Sequence, residues 1–172
     1  TDQRFAGDLV KLERTVDGII QALTLMVEVR DPYTSGHQKR VAQLGSAIVK
    51  EMSNARARIP ELDKTIRIAG LLHDLGKVFI AVEILTKPGQ LTPDEFAAIK
   101  NHPKAGYEVL KNIEFPWPIA DVALQHHERL NGSGYPSGLK GDDIRIEAQI
   151  IAVADVVEAM LHPRSYRPAL GL

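Results

Sequence analysis

His73 and Asp74 place an imidazole and a carboxylate side by side at the end of an apolar helical stretch, directly before Leu75-Gly76-Lys77. Both groups can reach one cation, and a carboxylate has two oxygens, so it can bridge two metals. His37, His102, His126 and His127 stand at helix ends or on inner helix faces, and Asp155 lies within the apolar run 150–157. A carboxylate charge buried in such a run costs several kcal/mol unless a cation or a proton answers it. Taken singly, each residue has an ordinary explanation: a hydrogen-bonded core histidine, a capping pair, a solvent-facing helix end. Taken together, five histidines and two aspartates form an N/O donor set suited to two divalent ions, which points to metal-dependent hydrolysis.

The elements that must position these residues are helical. Phe5, Leu9, Leu12, Val16, Ile19, Leu23 and Met26 follow a 4-3-4-3 spacing, the seam of a coiled coil. This seam is expected to meet a partner helix, with packing on the chain's own core as the other reading. Pro32 breaks the chain at a turn. A helix over 34–52 puts His37, Val41, Leu44 and Ile48 on one face, and a helix over 62–74 turns Leu62, Ile66, Ala69 and His73 inward. Thr92-Pro93-Asp94-Glu95 reads as a capping box opening a helix that stops near His102-Pro103. Further helices are expected over 104–111, over 118–128 ending in His126-His127, and over 147–161. Residues 129–145, rich in Gly, Ser, Asn and Pro, form a loop. The expected fold class is all-α.

Composition narrows the chemistry further. The chain has 172 residues, 44% of them hydrophobic and 25% charged, as an ordinary globular domain does. Its net charge of -1 argues against a DNA-binding scaffold. Without cysteine there are no disulfides or thiolate zinc sites, so any metal takes His and carboxylate ligands. Such ligands suit iron or manganese, and also nickel or zinc. No apolar run reaches the length of a membrane span and no signal peptide opens the chain, so the expected location is cytoplasmic.

The chain resembles the HD-GYP domains, a branch of the HD superfamily of metal-dependent phosphohydrolases. The resemblance rests on the segments RDPYTSGH at 30–37, LLHDLGK at 71–77, Asn101-His102-Pro103 and His126-His127-Glu128-Arg129. It continues with NGSGYP at 131–136, Gly138-Leu139-Lys140-Gly141 and Ala152-Val153-Ala154-Asp155, covering about residues 25–170. It implies an HD-type helical bundle over 31–172 with a Gly-rich GYP loop, preceded by an N-terminal helix over 1–30. That helix would serve as a coiled coil, a homodimer contact or a linker from an upstream domain. The chain stops at Leu172, where family members generally continue with further helices.

The implied activity is hydrolysis of cyclic di-GMP to linear pGpG and GMP. Carried over by position, His37, His73, Asp74 and Asp155 would hold one metal. Asp74, His102, His126 and His127 would hold the second, with Asp74 bridging. No carboxylate directly precedes His37, which favours two metals over three. Two such ions lower the pKa of a shared water, and the resulting hydroxide attacks phosphorus in line. Lys77, near Asp74, is expected to touch a phosphate oxygen, as are Arg164 and Arg167 through their guanidinium forks. Tyr135 is expected to wall the nucleotide pocket, and the loop around it to meet partners such as diguanylate cyclases. Alternatives are a catalytically silent signalling module, or a phosphodiesterase for another cyclic or linear dinucleotide.

Overall fold

The structure, a computed structural model, describes residues 2–55 and 60–162, with side chains over 4–52 and 61–162. The described residues are all-α. A long α1 (Asp2–Arg30) leads through a short 3-10 turn to α2 (His37–Ala55) and α3 (Pro60–Leu72). A 3-10 turn at Leu75–Phe79 and a single turn, α4 (Val82–Leu85), connect to α5 (Pro93–Ile99) and α6 (His102–Leu110). Next come α7 (Ile119–Gln125) and α8 (Ile146–Leu161). Between these last two helices the only strand-like pairing among the described residues is one bridge, Asn131 to Lys140.

The helix α3 is the centre of the bundle, packed against α1, α2, α7 and α8. Its Leu62, Ile66, Ala69 and Leu72 are buried, and so is Ile68, which widens the apolar face beyond one stripe. Glu61 and Asp63 in its first turn complement the positive end of the helix dipole. Ile66, fully buried in the shared core with Val41, Leu110 and Ile151, anchors this arrangement. Its truncation to alanine would cost about 2–5 kcal/mol.

Several sequence-derived boundaries shift. The helix expected over 62–74 ends at Leu72, so His73 and Asp74 form the turn that follows it. The helix expected from Lys104 begins at His102, because Pro103 sits in its first turn, where a missing N–H costs nothing. The helix expected to 128 ends at Gln125, with His126 as its cap. The Thr92–Glu95 capping box is formed in both directions, at 3.3 and 2.7 Å.

Helix α1 packs on the core through Ile20, Thr24 and Val27, one stripe of its surface. The heptad seam is a different stripe. Phe5, Leu9, Leu12, Val16, Ile19 and Met26 are all exposed, and of the seam only Leu23 packs against the core.

Candidate metal centre

The site is built from helix ends. A helix leaves the carbonyls of its last turn without partners, and three histidines use them. His73, His102 and His126 each donate Nδ1–H to the carbonyl three residues back, on Gly70, Ile99 and Ala123, at 2.8, 2.7 and 2.7 Å. This hydrogen bond fixes the tautomer and turns each Nε2 inward. His37, at the first position of α2, follows a 3-10 turn rather than the end of an α-helix. Its Nδ1 meets Glu158 of α8 instead, at 2.5 Å.

Asp74 lies between the inward nitrogens and divides its oxygens among them. Its Oδ2 lies 3.7 Å from His37 Nε2 and 3.5 Å from His73 Nε2. Its Oδ1 lies 3.2 Å from His102 Nε2 and 3.9 Å from His126 Nε2. Two donor groups result, His37–His73–Asp74 and Asp74–His102–His126–His127, with ligand atoms in each within 4.8 Å of one another. Asp155 joins the first group through His37, 3.2 Å from its Nε2. Its side chain, expected to be buried, is 14% exposed because the third turn of α8 opens onto a cleft.

Two observations show that a cation fits here. The Nε2 atoms of His102 and His126 face each other at 3.3 Å while both Nδ1 atoms donate elsewhere. In the neutral rings two lone pairs then oppose one another, an arrangement that a shared cation relieves. His73 Nε2 is buried and has no hydrogen-bond partner among the described residues. Buried polar atoms are rarely left so.

The electrostatics keep His73, His126, His127 and both aspartates in their ligand forms. Burial pushes the His73 imidazole below its ordinary pKa, against the pull of Asp74 and Asp155. Burial, reinforced by the neighbouring histidines, holds His126 well below that value and His127 down to about 3. Burial opposes charge on Asp74, but Lys77, His73 and His102 outweigh it and hold the carboxyl well below the usual range. Asp155 is likewise held low, its contact with His37 prevailing over burial. His37 is the exception: burial works against its charge, but Asp155 and Glu158 raise its pKa.

Around this centre opens a cleft of ≈ 1040 Å³, at the upper end of small-molecule sites. Asp74, His102, His127 and Asp155 reach its surface, and Lys77, Arg129, Tyr135 and Phe96 line it. Lys77 is largely buried, its Nζ 2.7 Å from Asp74 Oδ2 and 3.9 Å from Asp31 Oδ2. The turn bearing it is seated tightly: a Cβ at Gly76 would collide with the backbone carbonyl of His102. Tyr135 stacks on His127, with centroids 4.7 Å apart and planes at 29°. Its loop is tied down by the buried Glu128, whose carboxylate accepts Ser137 N–H at 2.7 Å and Leu139 N–H at 3.0 Å. Arg164 and Arg167 lie outside the described residues.

The seven metal-ligand candidates, Lys77 and Tyr135 therefore meet in one site. Sequence reasoning missed Glu158, Glu128, Asp31, Arg129 and Phe96. His162, expected to be a plain surface residue, is 41% exposed and places its Nδ1 3.0 Å from Glu158 Oε1.

An HD domain model matches residues 21–172, and the chain belongs to that family, as a member of the HD-GYP type. It is 37% identical over 170 residues to the cyclic di-GMP phosphodiesterase response regulator RpfG of Xanthomonas campestris, spanning 98% of this chain and 44% of the relative. It is 36% identical over 155 residues to the 3'3'-cGAMP-specific phosphodiesterase 3 of Vibrio cholerae, spanning 90% of this chain and 33% of that one. The chain thus covers less than half the length of either relative. Among solved structures it resembles the HD domain of the Listeria monocytogenes phosphodiesterase PgpH in complex with cyclic di-AMP. The TM-score is 0.54 at 28% identity, over 80% of this chain and 72% of the other.

Proposed function

We propose that this domain is a metal-dependent phosphodiesterase for cyclic dinucleotides, acting on cyclic di-GMP to give linear pGpG and then GMP. The observation that carries this reading is Asp74, whose two oxygens face two separate groups of imidazole nitrogens. Two divalent ions, iron or manganese in the first place, would be held by His37, His73, Asp74 and Asp155 and by Asp74, His102, His126 and His127. Bound there, they supply Lewis acidity toward a phosphoryl oxygen and acidify water.

The chain's own residues do the rest. The depressed pKa values of His73, His126 and His127 keep these imidazoles unprotonated at neutral pH, so they offer lone pairs. Lys77 and Arg129 bring positive charge to the cleft wall, where the phosphodiester monoanion under attack must sit. Tyr135 and Phe96 offer ring faces for purines. Tyr135 is rigid in this role because His127 stacks behind it. The named relatives act on cyclic di-GMP and 3'3'-cGAMP, so the choice of base rests on how these walls contact the purine edges.

The exposed seam of α1 supports a second part of the reading, a parallel homodimer. Six large apolar residues on one helical stripe stand in water in the single chain, and a second copy of that stripe covers them. The outer face of the 129–145 loop, where Leu130 is 62% exposed, is the surface suited to a protein partner such as a diguanylate cyclase.

The test is turnover of cyclic di-GMP and 3'3'-cGAMP side by side, by protein prepared without oxygen and loaded with iron(II) or manganese(II), with metal counted on the same sample. Product from cyclic di-GMP with two ions per chain, both lost in Asp74→Ala, is the expected result. Full metal loading without product would leave a signalling module rather than an enzyme.

A further inference from the structure

Each ligand imidazole must have its second nitrogen held, or the ring turns and the first nitrogen is misplaced. Three of the histidines are held by backbone carbonyls. His37 alone of this set is held by a side chain, Glu158. Glu158 is 1% exposed, and its other oxygen accepts from Arg40 Nε at 2.8 Å and Arg40 Nη2 at 2.7 Å. His162 Nδ1 closes on the same oxygen. Arg40 is fixed in turn by donating to Ser35 O at 3.1 Å. Gly36, at φ 70, leaves the space its guanidinium needs, since a Cβ there would stand 2.7 Å from Arg40 Nη1.

We infer that Glu158 is a positioning residue for one of the two donor groups: it holds His37 through Nδ1–H and so fixes the ring with Nε2 facing Asp74 and Asp155. A buried carboxylate accepts and cannot donate, so a proton is held on Nδ1, and Nε2 is the nitrogen left for a cation shared with Asp74 and Asp155. The inference rests on the metal reading above and adds an asymmetry to it. The group His37–His73–Asp74–Asp155 depends on a charged side chain from another helix. The group Asp74–His102–His126–His127 does not: His102 and His126 are anchored by main-chain carbonyls, and His127 is stacked on the Tyr135 ring. Loss of Glu158 should therefore weaken one ion and spare the other.

The experiment titrates manganese(II) into metal-stripped wild-type protein, Glu158→Leu and Glu158→Gln. Free ion is followed by electron paramagnetic resonance, and folding is checked by circular dichroism. Glu158→Leu should weaken one of two sites by roughly 10–100-fold, the usual effect of removing such an anchor, with the other site unchanged. Glu158→Gln, whose amide oxygen still accepts the Nδ1–H, should recover most of that loss, and it carries the test should the leucine variant not fold. Two sites of wild-type affinity in Glu158→Leu would overturn the inference, as would equal loss at both sites in a folded protein. A wild type that binds no manganese would instead overturn the metal reading itself.

Discussion

The Lys77 ammonium lies 2.7 Å from Asp74 Oδ2, the carboxylate oxygen that faces His37 and His73. The two residues are three apart on the 3-10 turn, whose tight winding brings i and i+3 into line. The lysine thus stands where the donor cluster meets the cleft, and it neutralises part of the charge on the carboxylate that both donor groups share. A cation bound at Asp74 would compete for Oδ2 and free the ammonium for a phosphate oxygen. Lys77→Met should therefore keep its metal content and lose roughly 10–100-fold in kcat/KM, the worth of one charge-assisted hydrogen bond. Metal analysis beside steady-state kinetics checks this, and metal lost in step with activity would make Lys77 a structural residue.

Acid should destabilise the metal-free domain. His73, His126 and His127 have folded-state pKa values below their ordinary value of 6.5, that of His127 at about 3. Below pH 6.5 the unfolded chain takes up protons there that the folded chain refuses, so stability falls as pH falls. Each contributes up to about 1.4 kcal/mol per pH unit across its window. Asp74 and Asp155, held low when folded, add losses in the same direction below their ordinary value of 3.8. His37 runs the other way: its contribution is full below 6.5 and is lost as pH rises through its raised value. With three histidines against one, the melting temperature of the stripped protein should drop between pH 7 and pH 5. A flat profile over that range would mean these rings are not buried as neutral groups.

The seam of α1 gives a clean surface test. Leu12 and Ile19 are 60% and 55% exposed in the single chain, so charged replacements there cost the fold little. Leu12→Glu with Ile19→Glu should convert a dimer to a monomer in light scattering while helix content holds. A wild type that is monomeric, or a double variant that stays dimeric, would remove the seam from the interface.

Glu128 ties the 129–145 loop to the end of α7 through two main-chain amides. Glu128→Ala should leave the Ser137 and Leu139 amides without their carboxylate. Each such charge-assisted bond is worth about 1.5–3 kcal/mol, so hydrogen exchange at those amides should quicken by at least about tenfold. The substrate KM should rise as Tyr135 loosens. Unchanged exchange at both amides would show that the loop holds its shape without Glu128.

Much of this was open to a reading of residue types. Thr92 and Glu95 at a three-residue spacing form the capping box they imply, because capping depends only on near neighbours. Val41, Ile66 and Ile151 follow helical periodicity into the core. The turn Leu75–Phe79 was not legible, since a 3-10 segment has no 3.6-residue stripe. Glu158 did leave a trace: it continues the stripe of Ile151 and Ala154 at i+7 and i+4, so a carboxylate was headed inward on an otherwise apolar face. A single chain of letters could not say what met it there, because His37 is 121 residues away.

By itself the sequence determined the donor chemistry, histidine and carboxylate without thiolate, and the all-α class. Both follow from residue identity and local periodicity, which do not depend on distant contacts. Only the tertiary structure decided which donors share an oxygen of Asp74, which imidazole is anchored by Glu158 rather than a carbonyl, and which stripe of α1 faces water. Those outcomes depend on how the ends of α3, α5 and α7 and the faces of α2 and α8 converge. Packing of the shared core sets that convergence, and no local spacing encodes it.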